Sequence, residues 1–184
     1  MIKINKILLD LDGVLVDFVS GVCEAHHQEW PYNNPANFGI HSLDKIWGMS
    51  PRDFLLNCDQ TFWQNLKEMP DAAQIVDTLN KFAGKVAINI LTKSSHNDGC
   101  IDGKKKWVAA HFPKLSKNFW SGIGTKAVCA SPTSLLIDDY NKNVDEFQAA
   151  GGHTILLPRP WNRNYGMNTL EYLEDKLREF DFSV

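Results

Sequence analysis

The sequence predicts an α/β fold, a three-layer Rossmann-like parallel sheet with a small helical cap inserted after its first strand. Two observations carry this prediction. Short apolar runs ending at acidic residues or a hydroxyl alternate with stretches of helical periodicity, the pattern of parallel strands joined by crossover helices. One stretch, residues 18–70, breaks the alternation and is rich in Trp, Asn, Pro and His.

The elements follow in order. Ile7 to Leu11 reads as a buried strand that stops at Asp10, Asp12 and a turn-permitting Gly13. Residues 18–70 hold short helical pieces, Pro51 to Asn57 and Thr61 to Lys67, and read as the cap, leaving 1–17 and 71–184 as the core. Ala72 to Phe82 has apolar residues at 72, 75, 76, 79 and 82, a helical spacing. Val86 to Leu91 is the next strand and ends at Thr92. Lys104 to Phe112 is a helix that packs Trp107, Val108 and Phe112 inward and shows Lys104, Lys105 and Lys106 to solvent. Leu135 to Ile137 is a strand ending at Asp138 and Asp139, and Val144 to Ala150 is a helix. Thr154 to Leu157 is a strand after Gly151-Gly152, and Met167 to Phe180 closes the chain as a helix through Leu170, Leu173 and Leu177.

Composition narrows the function classes. At 184 residues the chain holds one ordinary domain with room for a small insertion. A net charge of −3 gives no bulk attraction for nucleic acid, so that partner is not expected. No apolar run approaches the roughly 20 residues of a membrane span, and neither a span nor a signal peptide is expected. The four cysteines lack CxxC spacing, which indicates neither a zinc site nor a disulfide framework and fits a reduced, cytoplasmic setting.

In parallel α/β sheets, ligands gather at the carboxyl ends of the strands, where this sequence puts Asp10, Asp12, Thr92, Asp138 and Asp139. Asp10 and Asp12 are two positions apart, so in extended backbone they project to one side, as a nucleophile beside a general acid would. The same DLDG tetrapeptide is as readily a surface turn. One carboxylate of Asp138-Asp139 could share a hard divalent cation with Asp10, and the pair could equally cap a helix or sit in a loop. A carboxylate attacking an anionic phosphate is opposed electrostatically, so a phosphatase built on Asp10 should need Mg²⁺. Thr92 could hold a phosphoryl oxygen or act only as a cap. Lys126 could balance Asp10 and the phosphate, or be solvated surface.

Taken together, DLDGVLVDF, LTKSS, Lys126 and LLIDD resemble, in this order, the four sequential motifs of the haloacid dehalogenase superfamily. The resemblance implies Asp10 as nucleophile, Asp12 as acid and base, Thr92 as phosphate hydroxyl and Lys126 as balancing cation. It implies Asp138 as direct metal ligand alongside Asp10 and the backbone carbonyl at Asp12, with Asp139 supporting the site from behind. Within that superfamily the chain is most similar to the 5′(3′)-deoxyribonucleotidases, through DLDGVLVDF with Phe18, Phe62-Trp63 followed by Met69-Pro70, KKKWVAAHF and LLIDD. This implies a nucleoside monophosphate substrate, with Phe18, Phe62 and Trp63 stacking on the base, and a possible homodimer. The aromatic trio is equally suited to be the core of a small cap.

The sequence departs from those nucleotidases in KSSHNDGCIDG, which lacks their Ser-Pro loop, and in a wider gap between Lys126 and the acidic pair. HTILLPRPWNRN adds Arg159, Trp161 and Asn162 at the pocket's border without assignable roles. Another phosphorylated metabolite or a nucleic-acid 3′-phosphate is the alternative substrate. A phosphate-binding module without turnover is the non-enzymatic alternative.

Overall fold

The computed structural model describes residues 1–95, 97, 99–122 and 124–183; His96 and Asp98 of the KSSHNDGCIDG segment lie outside them. Its strands are β1 (Ile2–Lys3), β2 (Lys6–Leu9), β3 (Ile88–Lys93), β4 (Phe119–Gly122), β5 (Ser134–Asp138), β6 (His153–Leu156) and β7 (Phe180–Asp181). The helices are α1 (Phe18–His26), α2 (Leu43–Ile46), α3 (Pro51–Leu55), α4 (Gln60–Gln64), α5 (Ala72–Ala83), α6 (Cys100–His111), α7 (Asn141–Ala149) and α8 (Thr169–Leu177). Five strands form one sheet in the order β4-β3-β2-β5-β6, each neighbouring pair parallel. The chain builds outward from β2 through β3 to β4, then returns to the other flank of β2 as β5. Strand order thus reverses at β2, and the crevice at its carboxyl end is where such sheets bind ligands.

Side-chain alternation divides the sheet's two faces. Ile7, Leu9, Ile88, Ile90, Leu135 and Ile137 share one cluster with residues of α5, α6 and α8. Leu8, Leu91 and Leu136 point the other way and meet Phe147 of α7. Each fully buried aliphatic side chain contributes about 1.5–3 kcal/mol, so strands buried on both faces read as unbroken apolar runs. This is the three-layer arrangement expected from the sequence.

Three elements differ from expectation. β4 is an edge strand of alternating exposure, FWSG, with no apolar run to mark it. α1 begins at Phe18, capped by the Asp17 carboxylate, which accepts from Ser20 N at 3.1 Å. The terminal helix stops at Leu177, and Phe180 instead enters β7, which pairs with β1 as a separate ribbon. No helix among the described residues is long and apolar enough to cross a membrane, and the four cysteines are unpaired.

Between β2 and α5 lie the four short helices. Val19, Cys23, Tyr32 and Leu43 cluster there around Trp161, a residue that follows β6. α4 does not join this cluster; its Trp63 packs into the main core against α6. Gly103 permits that approach, because a Cβ there would lie 2.6 Å from Gln60 O and 2.7 Å from Trp63 Cβ. Gly103→Ala gains up to about 1 kcal/mol of helix propensity but forces α4 and α6 apart at a cost of about 1–3 kcal/mol. The expected result is net destabilisation of about 1–2 kcal/mol, read as a lowered urea midpoint with unchanged slope; a raised midpoint would show that the two helices can separate freely.

Candidate active site

Pairing of β2 with β5 sets the site's first contact. Asp10 N–H donates to Ile137 O at 2.9 Å, which brings the Asp10 side chain beside Asp138 at the end of β5. Lys126, from the 3-10 turn Lys126–Cys129, is buried between them, its Nζ 2.6 Å from Asp10 Oδ1 and 2.6 Å from Asp138 Oδ2. The four motif carboxylates and Lys126, spread over more than a hundred residues of sequence, therefore converge.

Asp138 and Asp139 have different surroundings. Asp138 is fully buried and its oxygens are already engaged: Oδ1 accepts from Tyr140 N at 2.9 Å, Oδ2 from Lys126, and both from Asn143 Nδ2 at 3.1 Å. Asp139, expected behind the site, instead lines the cavity, and its Oδ2 accepts from Trp161 Nε1 at 2.5 Å. Asp10, Asp138 and Asp139 each offer an oxygen within 4.8 Å of the others.

Lys104 corrects the exposed face assigned to Lys104, Lys105 and Lys106. Its neighbours in sequence are exposed, but Lys104 is only 2% exposed. The ammonium pairs with Asp12 Oδ2 and donates to Thr92 Oγ1 at 3.1 Å and Lys93 O at 2.6 Å. The Trp63 ring centroid lies 4.5 Å from it. Charge alone does not separate Lys104 from Lys105 and Lys106; helical phase does, since Lys104 is three residues before the inward-facing Trp107.

A cavity of about 290 Å³ opens over these groups. Asp10, Asp12, Lys126 and Asp139 line one end, and Phe18, Val19, Leu43 and Phe54 give it an apolar wall. Lys93, whose Nζ donates to Asn143 Oδ1 at 2.7 Å, and a stacked His41–Tyr140 pair with centroids 3.8 Å apart form a polar side. Of the three aromatics singled out in the sequence, only Phe18 lines this cavity. Trp63 is buried behind it, stacked on Phe18 at 5.2 Å and donating Nε1–H to Cys58 O, and Phe62 lies against a separate surface pocket with Asp17 and Lys67. Phe54 was not foreseen, since nothing in PRDFL marks one residue for the cavity.

The HTILLPRPWNRN segment acquires roles. Arg159 donates Nε–H to Gly13 O at 2.7 Å and Nη2–H to Val14 O at 3.3 Å, and forms a two-bond pair with Asp71. Asn162 donates to the backbone oxygens of Asp139 at 2.8 Å and Leu157 at 2.6 Å. These contacts fix the Gly13 turn and the Asp139 backbone with respect to each other. Gly13, at φ +76°, approaches so closely that a Cβ would stand 2.0 Å from Asp139 Oδ2.

Electrostatics states what the site lacks. Asp10, Asp12, Asp138 and Asp139 face the two buried ammonium groups of Lys104 and Lys126, which leaves negative charge uncompensated in a region shielded from water. Burial pushes the Asp10 carboxyl up to about 7 against the pull of Lys126, with Asp138 and Asp12 adding to the rise. Burial, with the charges of Asp138 and Asp10, likewise holds Asp139 well above the usual carboxylate range. Burial alone would lower Lys126, but Asp10 and Asp138 outweigh it and hold the ammonium above its ordinary value. One Asp12 oxygen, Oδ1, is buried without a hydrogen-bond partner among the described residues. A hard divalent cation, which takes carboxylate oxygens, fits this donor set.

A model of the family described as 5′ nucleotidase, deoxy (Pyrimidine), cytosolic type C protein matches residues 3–171. No curated protein sequence matches. Among solved structures, a HAD family hydrolase from Deinococcus radiodurans R1, with bound phosphate and sodium, is 18% identical with a TM-score of 0.55, over 94% of this chain and 89% of that one. A haloacid dehalogenase-like family hydrolase from Streptococcus pneumoniae is 15% identical, TM-score 0.57, over 94% and 92%. The HAD-hydrolase YfnB from Bacillus subtilis, bound to magnesium, is 13% identical, TM-score 0.55, over 95% and 99%. At these identities the structures share the fold.

The raised carboxyls fix the sign of two expectations. For Asp10 the proton-bound form favours the folded state, so this contribution is present below the unfolded value near 3.8 and is lost as pH rises through about 7. A divalent cation must displace these protons, so it should stabilise the protein more at pH 8 than at pH 5. With the cation at a hundred times its dissociation constant, melting should rise by about 5–10 °C at pH 8 and far less at pH 5; equal shifts would place the cation elsewhere. Gly13→Ala should displace the Asp139 carboxylate and weaken cation binding about 10-fold or more in a calorimetric titration, and unchanged affinity would remove Asp139 from the ligand set.

Proposed function

The chain belongs to the 5′ nucleotidase, deoxy (pyrimidine), cytosolic type C family, and from that premise we propose that it hydrolyses (deoxy)ribonucleoside monophosphates to nucleoside and inorganic phosphate through an aspartyl phosphate on Asp10. The observation that carries the reading is the position of Asp10 in the cavity lining just past β2, its Oδ1 paired with Lys126. Asp12 lines the same cavity, and its buried Oδ1 has no hydrogen-bond partner among the described residues. We take Phe18 with Phe54 as the platform for a nucleobase, in place of the Phe18, Phe62 and Trp63 set, because both line the cavity that the carboxylates line and their rings meet edge to face. Stacking on such a face contributes about 1–3 kcal/mol per base. A cavity of about 290 Å³ is of a size for one small molecule.

In the first step an Asp10 oxygen forms a bond to phosphorus while the ester P–O bond breaks. The bonding pair leaves with the nucleoside oxygen, which takes the proton held by Asp12. In the second step water attacks the same phosphorus, gives its proton to the Asp12 carboxylate, and the Asp10–phosphorus bond breaks to free phosphate. Lys126 favours the ionised form of Asp10 against the effect of burial and offsets charge gathered on the phosphoryl oxygens. Thr92 contributes a hydroxyl at the end of β3. Asp10, Asp139 and the backbone carbonyl at Asp12 would hold Mg²⁺, with Asp138 alongside. When bound, that ion offsets the repulsion between carboxylate and phosphate. The phosphate and the magnesium of the structural neighbours agree with this choice. Membership of a family described as cytosolic suggests the same compartment here.

The test is phosphate release from 5′- and 3′-nucleoside monophosphates, deoxy and ribo, beside sugar phosphates, with Mg²⁺ and with EDTA. Release from nucleotides that requires Mg²⁺, and falls to background in Asp10→Asn while the circular dichroism spectrum is kept, is the expected outcome. Release from sugar phosphates alone would retain Asp10 chemistry and discard the base platform. Normal turnover by Asp10→Asn would remove the aspartyl phosphate.

A further inference from the structure

Lys104 is the largest fully buried charged side chain among the described residues, and the mechanism above does not use it. It is buried to 2% exposure on α6, yet all three of its ammonium hydrogens have acceptors: Asp12 Oδ2, Thr92 Oγ1 at 3.1 Å and Lys93 O at 2.6 Å. A lysine ammonium only donates. Its partners must therefore accept, and this fixes the polarity of two groups at once. Asp12 is held by Oδ2, so the proton it exchanges has to sit on the other oxygen, Oδ1, the atom that is buried without a protein partner and belongs to a residue lining the cavity. Thr92 Oγ1 accepts from Lys104, which leaves its own hydrogen for an incoming acceptor. Its nearest protein alternative, Lys93 O, is at 3.4 Å and already receives Lys104.

We propose that Lys104 is a positioning residue for the proton-transfer step: by binding Asp12 Oδ2 it aims Oδ1 at the leaving oxygen, and by donating to Thr92 it turns the hydroxyl hydrogen toward a phosphoryl oxygen. The inference rests on the phosphatase reading of Asp10 and Asp12, and is independent of which alcohol the phosphate is bound to. Two further contacts keep the ammonium in place. Trp63 of α4 lies 4.5 Å from Nζ, covering it with an aromatic face, and Gly103 lets α4 and α6 approach closely enough for that contact. An ammonium so enclosed has one orientation, whereas a solvated lysine at the same distance would swing away. Trp63 thereby serves the proton transfer through Lys104 and not through a base.

The experiment compares kcat/KM of the Mg²⁺-loaded wild type, Lys104→Met and Asp12→Asn on p-nitrophenyl phosphate and phenyl phosphate. The first ester's leaving group departs without a proton; the second's needs one. Because kcat/KM reports only steps up to leaving-group departure, it isolates the acid role of Asp12 from the later attack by water. Lys104→Met should lose at least 10-fold more on phenyl phosphate than on p-nitrophenyl phosphate, with the same direction of bias as Asp12→Asn. Equal losses on the two esters would overturn the proposal and leave Lys104 a structural residue. If Lys104→Met does not fold, Lys104→Ala, which also removes the donor and leaves room for water beside Asp12, carries the same comparison. A wild type that hydrolyses neither ester nor any nucleotide would remove the phosphatase reading itself, an outcome separate from a changed ratio.

Discussion

Four carboxylates crowded where two adjacent parallel strands end impose the constraint on which the rest of the site depends. Asp10, Asp12, Asp138 and Asp139 would repel one another in water; shielded from it, their repulsion is stronger. Lys126 between Asp10 and Asp138, and Lys104 at Asp12, supply part of the compensation. Removing one partner of such a buried pair typically costs about 3–5 kcal/mol, because the remaining charge cannot be resolvated. The residual negative charge makes the cluster suited to a divalent cation, and it adds to burial, the larger cause, in raising the Asp10 and Asp139 carboxyls.

Much of the surrounding structure exists to hold this repulsive arrangement together. The Asp10 amide is fixed by β5, Asp138 by Asn143 and Tyr140, Asp139 by Trp161 and Asn162, and the Gly13 turn by Arg159. Arg159 is itself tied to Asp71 at the start of α5, so the loop after β6 clips the first turn of the chain to its first long helix. A planar guanidinium suits this work, since it donates to two backbone carbonyls and a carboxylate at once without bending its fork. None of these clips holds charge in the reaction. They hold the carboxylates close to one another.

How much of this was legible in the sequence depends on how local each signal is. β2, β3 and β5 were legible because strands buried on both faces must be apolar throughout and because their ends carry the chemistry, whereas β6, an edge strand with a half-buried start, showed through its short apolar run after Gly151-Gly152. Asp10, Asp12, Lys126, Asp138 and Asp139 could be gathered from their order along the chain. β4 was not legible, since an edge strand with one exposed face has no run to detect. The division between Asp138 and Asp139 was hidden because it depends on which neighbours reach each carboxylate, and Asn143 and Trp161 come from separate elements. Lys104 was hidden for the opposite reason: KKK is read as a solvated face on composition, and only the fold shows that one of the three points at Asp12.

The aromatic residues of the inserted region carry the remaining lesson. Phe62-Trp63 suggested a base platform because two flat rings side by side match a nucleobase, but α4 turns them onto different surroundings: Trp63 toward Lys104 and the core, Phe62 away from the cavity. A ring face over a desolvated ammonium contributes about 2 kcal/mol or more, comparable to stacking on a base, so energy alone could not have chosen between the two uses. Geometry chose. A tryptophan 4% exposed and held by its own Nε1–H on Cys58 O has no face left for a ligand, whereas Phe18 and Phe54 do. The inserted region therefore touches the chemistry twice, once through the cavity wall and once through the cation behind Asp12. On the roles proposed for Asp12 and Lys104, contact between α4 and α6 is what keeps the acid aimed.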